Sequence, residues 1–374
     1  MYSFEPEEEQ QMLREVARRY AENDLREAAR EAEESGALPE ALIGKGWELG
    51  ILQASVPGEY GGFGERSAVT SALAAEELAW GDLAGAMAVM APGLFALPVL
   101  LAGSGAQKKE HLPKIVGGDW QPYTAALIEY QWDFDPNELT TLAKKDKNGY
   151  VLNGEKRFVP YADRAEAMIV YANLDGATQG FIVPKGVDGM TIGEREKLLG
   201  INALPNYRVH LDNVRVPEEN RLGGNDGHTF APLLAAMQVG MAAAAVGMAQ
   251  ASFEYARDYA KEREVLGSKI AQKQSIAFFL AEMATEIEAI RLLTWEAAWQ
   301  LGVGDANAGV ATQRHEDACH TAYLAWQGAV DMAMMVTDRG VQILGGHGYI
   351  REHPVELWMR NGRGMGALLG MVMV

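Results

Sequence analysis

Apolar residues recur at helical spacing along the first stretch of the chain. Met12, Leu13, Val16, Ala17, Tyr20 and Ala21 share one face and charged residues fill the other, which predicts an amphipathic helix over residues 7–33. A second helix is expected over 38–52, stopped by the turn Val56-Pro57-Gly58-Glu59-Tyr60-Gly61-Gly62. Helical texture continues over 67–80, 84–102 and 107–116. Around Gln121 it changes to short runs rich in β-branched and aromatic residues, at 150–152, 167–171, 180–183 and 207–211, separated by Gly, Asn and Asp turns. From Thr229 the helical pattern returns. Residues 229–264 are rich in Ala and Met with no proline after Pro232, enough for a single helix of about 50 Å. Stretches 270–302, 305–338 and 341–363 complete a bundle. The expected class is α+β, with a helical domain over 1–120, a central β-domain over 121–227 and a helical bundle over 228–374.

Composition adds exclusions. A chain of 374 residues is long enough for a large buried core. Its single cysteine, Cys319, rules out an intrachain disulfide, fits a reducing compartment and is expected as a buried structural thiol. The N-terminus is acidic over residues 5–9 and shows no secretory signal, so a cytoplasmic location is expected. The longest apolar run, 239–249, is too short to span a bilayer. A net charge of −18 disfavours nucleic acid as a partner. No metal is expected, and the runs of Met read as core filling.

Chemistry concentrates near the C-terminus, in Gln342-Ile343-Leu344-Gly345-Gly346-His347-Gly348-Tyr349, followed by Arg351-Glu352-His353-Pro354-Val355-Glu356 and Met359-Arg360. Three glycines in four positions let backbone approach a ligand closely, and a Gln side chain can donate to and accept from an amide or a heterocycle edge. An isolated turn of this kind would be no more than a helix connection. The whole string, however, resembles the QILGGxGY…REYPVE…MRDAR signature of the acyl-CoA dehydrogenase family. The resemblance extends to Val151-Leu152-Asn153-Gly154-Glu155-Lys156 and Leu211-Asp212-Asn213-Val214-Arg215-Val216-Pro217, similar to the family's middle domain, where flavin and substrate lie. It implies the family's fold: N-terminal helical domain, central β-domain and C-terminal bundle.

Family positions fall into two groups here. In the first, Arg263-Glu264-Val265-Leu266-Gly267 with Gln274 resembles the RxxFG…Q element, and with Gln342, Ile343, Leu344, Gly345 and Gly346 it implies contacts to FAD held mainly by a neighbouring subunit. A guanidinium suits pyrophosphate because its planar donors pair bidentately. Leu266 stands where the family has an aromatic.

The second group is altered. Ala126-Leu127-Ile128-Glu129-Tyr130-Gln131-Trp132-Asp133-Phe134-Asp135 covers the family's ALTEPGAGSD segment. Ile128 replaces the Thr, and bulky residues at 130–134 are expected to close the space that glycines leave for phosphate oxygens. Asp133 adds a charge that repels pyrophosphate. Phe158-Val159-Pro160-Tyr161 stands in place of Trp-Ile-Thr-Asn, and Pro160 offers neither hydroxyl nor N–H to flavin N5. Gly200-Ile201-Asn202-Ala203-Leu204-Pro205-Asn206 departs from GxRGSxT. The family's catalytic Glu falls at Leu369, and the alternative location on a helix falls near Met237. Losing a general base costs roughly 10² to 10⁴ in rate.

The split implies a chain that lends half of a FAD site to a second acyl-CoA dehydrogenase-like subunit in an α2β2 heterotetramer. The reaction implied is FAD-dependent α,β-dehydrogenation of an acyl-CoA thioester, as in fatty acid or steroid side-chain β-oxidation. Catalysis and most substrate contacts would then lie on the partner, with electron-transfer flavoprotein served by the complex. Two alternatives stay open: a self-sufficient flavoenzyme with a relocated base or oxygenase chemistry, and a flavin-free scaffold using the fold alone.

Overall fold

A computed structural model describes residues 6–306 and 311–374. The N-terminal helices are α1 (Glu8–Tyr20), α2 (Arg26–Ser35), α3 (Glu40–Trp47), α4 (Ile51–Ala54), α5 (Ala68–Gly81), α6 (Leu83–Met90), α7 (Gly93–Ala102) and α8 (Gly105–Val116). The predicted helix over 7–33 exists as α1 and α2 joined by a π turn, Ala21–Leu25, so the apolar face is continuous but its pitch is not. Two other predicted helices are each broken in two. Gly50 takes φ +73° between α3 and α4, and α6 and α7 meet at a 51° bend. The bend falls at Ala91 and Pro92, because proline has no N–H to continue the ladder.

The middle of the chain contributes β1 (Thr124–Ala126), β2 (Leu142–Asp146), β3 (Gly149–Pro160), β4 (Ala167–Leu174), β5 (Ala177–Pro184), β6 (Met190–Arg195) and β7 (Asn206–Pro217). Four of these, β3, β4, β5 and β7, carry the runs read from the sequence. The short β1, the charged β2 and the half-buried β6 lack that signature. The strands run β1-β4-β2-β3-β7-β6, with β5 also paired to β4. β4 shows why two cores exist: Met168, Val170 and Ala172 face a core inside the β-domain, whereas Ala167, Ile169 and Tyr171 face the core shared with the helices.

The chain then enters α9 (Ala231–Glu262), a two-residue hairpin β8 (Glu264–Val265) and β9 (Ser268–Lys269), and helices α10 (Gln274–Ala306), α11 (Ala311–Leu344) and α12 (Val355–Gly364). The predicted boundary between the helices on either side of 303–304 runs into residues 307–310, which lie outside the described residues. The predicted break near 340 does not occur. α11 runs through Gly340, where an added Cβ would meet Ser252 Oγ at 2.4 Å, so this glycine serves close packing against α9. By length and composition α9, which contains the apolar run 239–249, could cross a membrane, but 89% of its most apolar window is buried within the chain, as in a core helix. Cys319 is partly rather than fully buried.

Candidate functional site

The first group of candidate residues gathers at one end of the C-terminal bundle. Helix α9 ends there, α10 starts there and α11 ends there, as three contacts establish. Tyr259 in the last turn of α9 hydrogen-bonds His347 Nδ1 at 2.9 Å. Arg339 of α11 pairs with Glu282 of α10, and its guanidinium lies 4.9 Å from the Phe279 ring. Arg263 caps α9 in an extended conformation, and its carbonyl accepts from Ile270 N at 2.9 Å. Leu266 and Gly267 form the hairpin tip with φ +54° and +77°. A left-handed pair is what a two-residue turn of primed type requires.

Arg263, Gln274 and Gln342 are all exposed. Among the described residues their side chains have no hydrogen-bond or ion-pair partner. Ile343 and Leu344 are buried, so they anchor the segment and leave only main chain for a ligand. Gly345 and Gly346 are exposed, and apart from their own neighbours no atom of the described residues lies within 4 Å of where a Cβ would stand; Gly345 takes φ +59°. Gly348 differs, since a Cβ there would meet Val341 O at 2.4 Å. The result is an outward-facing cradle with unengaged donors, bordered by the exposed Leu266 and Tyr349.

Behind the cradle lies a cluster the sequence reading missed. His347 and His353 stack at 5.3 Å with their planes 13° apart. Tyr255 hydrogen-bonds His353 Nδ1 at 2.7 Å, beside the Tyr259 bond to His347. The available signal was the pair Tyr255 and Tyr259, four apart on α9 and so on one face.

The second group surrounds the start of the β-domain. Glu129 and Lys156 are buried and joined at 2.7 Å. Lys156 also donates to Leu127 O at 3.1 Å. Glu129 accepts from Thr140 N and Oγ1, both at 2.7 Å, and from Thr141 N at 2.9 Å. Burial pushes the Glu129 carboxyl up, but the ammonium and the threonine donors outweigh it and hold the group down to about 2. Burial pushes Lys156 down to about 8, against the pull of Glu129. The pair is ionised at neutral pH and closes the loop 130–139. Both Glu129 oxygens are thereby occupied by Lys156 and the two threonines.

Within that loop one expectation fails. Trp132 is fully exposed and Tyr130 nearly so, with Arg157 4.8 Å from the Tyr130 ring. These side chains turn to solvent and close no space. Phe134, partly buried, and Leu139, buried, are the loop residues that pack onto the core. Asp135 is turned inward to its own loop, accepting from Asn137 N at 2.8 Å. Ile128 is buried, and Pro160 sits in β3 opposite Asn206. Phe158 and Tyr161 take φ +51° and +53° around a bulge, a conformation uncommon for aromatic residues.

A cleft of about 160 Å³ runs between Phe158, Leu199, Gly200, Arg360, Arg363 and Leu368. Some of its polar groups are engaged within the chain, whereas Asn361 Nδ2 is buried with no partner among the described residues and Arg363 meets only Met334 Sδ, at 3.5 Å. Arg360 pairs with Glu33 at 2.6 Å and Glu356 at 2.8 Å, and Asn361 Oδ1 accepts from Ile201 N at 2.8 Å. Asn202 is held by Glu33 through bonds of 2.7 and 2.8 Å. Leu369 and Met237, the residues expected at the two base positions, are both buried; Leu369 precedes Gly370, whose Cβ would lie 3.5 Å from Met237 Sδ. Both positions thus converge on one place, and neither residue can accept a proton.

Three family models cover the chain: the N-terminal domain of acyl-CoA dehydrogenase over residues 7–119, its middle domain over 124–214 and its C-terminal domain over 228–371. An acyl-CoA dehydrogenase of Bacillus subtilis is 34% identical, across 95% of this chain and 93% of its own length. Butyryl-CoA dehydrogenase from Megasphaera elsdenii superposes with a TM-score of 0.84 at 31% identity, across 98% of this chain and 95% of that one. A chain from the electron transferring flavoprotein structure of Acidaminococcus fermentans superposes at 0.85 with 31% identity, across 97% and 94%.

Proposed function

The chain belongs to the acyl-CoA dehydrogenase family, and from that premise we propose that it is the non-catalytic subunit of an α2β2 acyl-CoA dehydrogenase, lending half of a FAD site to a partner chain. The observation that carries this is the contrast between the two groups. Arg263, Gln274 and Gln342 are exposed, and among the described residues nothing engages their side chains. At the β-domain cleft Arg360 is tied to Glu33 and Glu356 and Asn361 Oδ1 accepts from Ile201 N, and the residues at both expected base positions, Leu369 and Met237, are apolar.

The cradle suits an extended, doubly charged group. Arg263 would pair with pyrophosphate, Gln342 would meet an amide or heterocycle edge, and Gly345 and Gly346 would bring main chain close. FAD, when bound, supplies the two-electron acceptor for α,β-dehydrogenation of an acyl-CoA thioester. The β-domain of this chain does not fit the same group. Pro160 lacks a donor and Ile128 a hydroxyl, so its own site holds no working flavin. The general base and most acyl-CoA contacts lie on the partner, and the complex passes electrons to electron-transfer flavoprotein in the cytoplasm.

The chain purified alone is therefore expected not to reduce a flavin-coupled dye with short, long or steroidal acyl-CoA. Leu369→Glu does not restore turnover, because Ile128 and Pro160 remain. Steady turnover by the isolated chain overturns the proposal.

A further inference from the structure

The segment that follows Leu369 is buried. Met371, Val372, Met373 and Val374 are each at most 3% exposed. The chain turns inward at Gly370, with φ +87° and a Cβ position 3.0 Å from Leu127 Cδ2. Met371 N donates to Leu368 O at 3.1 Å and Val374 N to Ala236 O at 3.4 Å. Arg66 Nη2 donates to Val374 O at 2.8 Å. These contacts carry residues 371–374 from the place where Gly370 meets Met237 into the space between α9 and the N-terminal helices.

Gly240 makes the bed for this segment. An added Cβ there would stand 2.9 Å from Val372 O and 3.1 Å from Met373 Cα. Glycine in the middle of a long helix costs about 1 kcal/mol relative to alanine, and here it lets the 371–374 backbone lie directly on α9. Beyond Met373 the remaining void is about 30 Å³, walled by Trp47, Leu52, Val89, Met90 and Leu97. That is room for about one water molecule.

We propose that residues 371–374 are an internal plug, a stretch of the chain's own apolar side chains occupying the space that an acyl chain would need beside the two base positions. The inference rests on the family reading only for the placement of those positions. It makes this chain's own pocket closed to substrate whether or not a partner shares a flavin. A plug of thioether and isopropyl groups matches an acyl chain in chemistry, since both gain by leaving water and neither needs a hydrogen bond. Removing it exposes an apolar chamber suited to a medium-length acyl group.

The test uses the native assembly, with binding of octanoyl-CoA and of decanoate counted by calorimetry per copy of this chain, and FAD content read separately by absorbance. Two variants are compared with the unaltered protein: deletion of residues 371–374, and Gly240→Ala, which favours the helix while denying the segment its bed. The expected result is one additional site per copy for either ligand in both variants. In Gly240→Ala, hydrogen exchange at residues 371–374 is expected to lose its protection. If the deletion fails to fold, Gly240→Ala decides. Folded variants that gain no site, or a Gly240→Ala protein whose segment stays protected, overturn the proposal. A change in FAD content alone bears on the shared-flavin reading and leaves this one untouched.

Discussion

Replacing Lys156 by Met, an apolar residue of similar length, puts the buried pair at the start of the β-domain to a quantitative test. The substitution leaves the Glu129 carboxylate buried with its threonine donors but without its countercharge. Breaking a buried ion pair from one side costs about 3 to 5 kcal/mol, and the three remaining bonds place this case at the lower end. Glu129→Gln removes the countercharge, leaving the Lys156 ammonium only neutral acceptors, Leu127 O and the amide oxygen, and is expected to cost more. The double variant should cost less than the sum, with a coupling of at least about 2 kcal/mol. At about 2.1 cal/mol/K per residue of unfolding entropy, a 374-residue chain unfolding as one unit loses roughly 4 to 6 °C in Tm for either single change. Because the Glu129 carboxyl is held down to about 2 in the fold, its contribution is present above its unfolded value and disappears as pH falls through that range. The gap between the parent and Glu129→Gln should therefore shrink below about pH 4. Calorimetric melting of the four proteins from pH 3 to 8 measures all of this. A Lys156→Met shift under about 1 °C, or strict additivity in the double variant, would refute the reasoning.

Two other outcomes follow from the structure. Asp82 caps α6 by accepting from Gly85 N at 2.7 Å, and burial pushes its carboxyl up to about 7. A raised folded value means the stability it contributes is present below the unfolded value near 4 and lost as pH rises to about 7. Asp82→Asn keeps the cap and should raise Tm at pH 8, by up to about 4 kcal/mol in stability, with little change at pH 4; equal effects at both pH values contradict the assignment. Arg263→Ala removes a charge-assisted contact worth about 1.5 to 3 kcal/mol, so the assembly should bind FAD about tenfold or more weakly. An unchanged dissociation constant in a flavin titration removes Arg263 from the site.

The sequence exposed what periodicity and spacing carry. The long Ala-rich α9 and the four strands with dense β-branched runs were legible because each is specified over many consecutive residues. Glycine was harder to interpret, since the same residue breaks a helix at Gly50, forms a hairpin tip at Gly267 and permits helix contact at Gly340. Only the neighbour across the gap distinguishes these uses. The candidate cradle was recognisable from residue types, but the stacked His347 and His353 were not, because their contact depends on how α9 meets the segment after α11. Trp132 misled for a related reason. Bulk in a loop fills a site only if the loop turns it inward, and the bonds from Glu129 to Thr140 and Thr141 fix the loop base while leaving Trp132 in solvent. The inward course of residues 371–374 had no local signature beyond apolarity, and its bed at Gly240 lies more than a hundred residues away.

The flavin content of the native assembly separates a shared FAD site from a self-sufficient one. If the cradle of this chain completes a partner's site and its own β-domain holds no flavin, two of the four half-site pairs in an α2β2 assembly are complete. Absorbance of the bound flavin against quantified subunits should then give one FAD for every two chains. Four FAD per tetramer, or tight binding of FAD by this chain alone, would contradict the account.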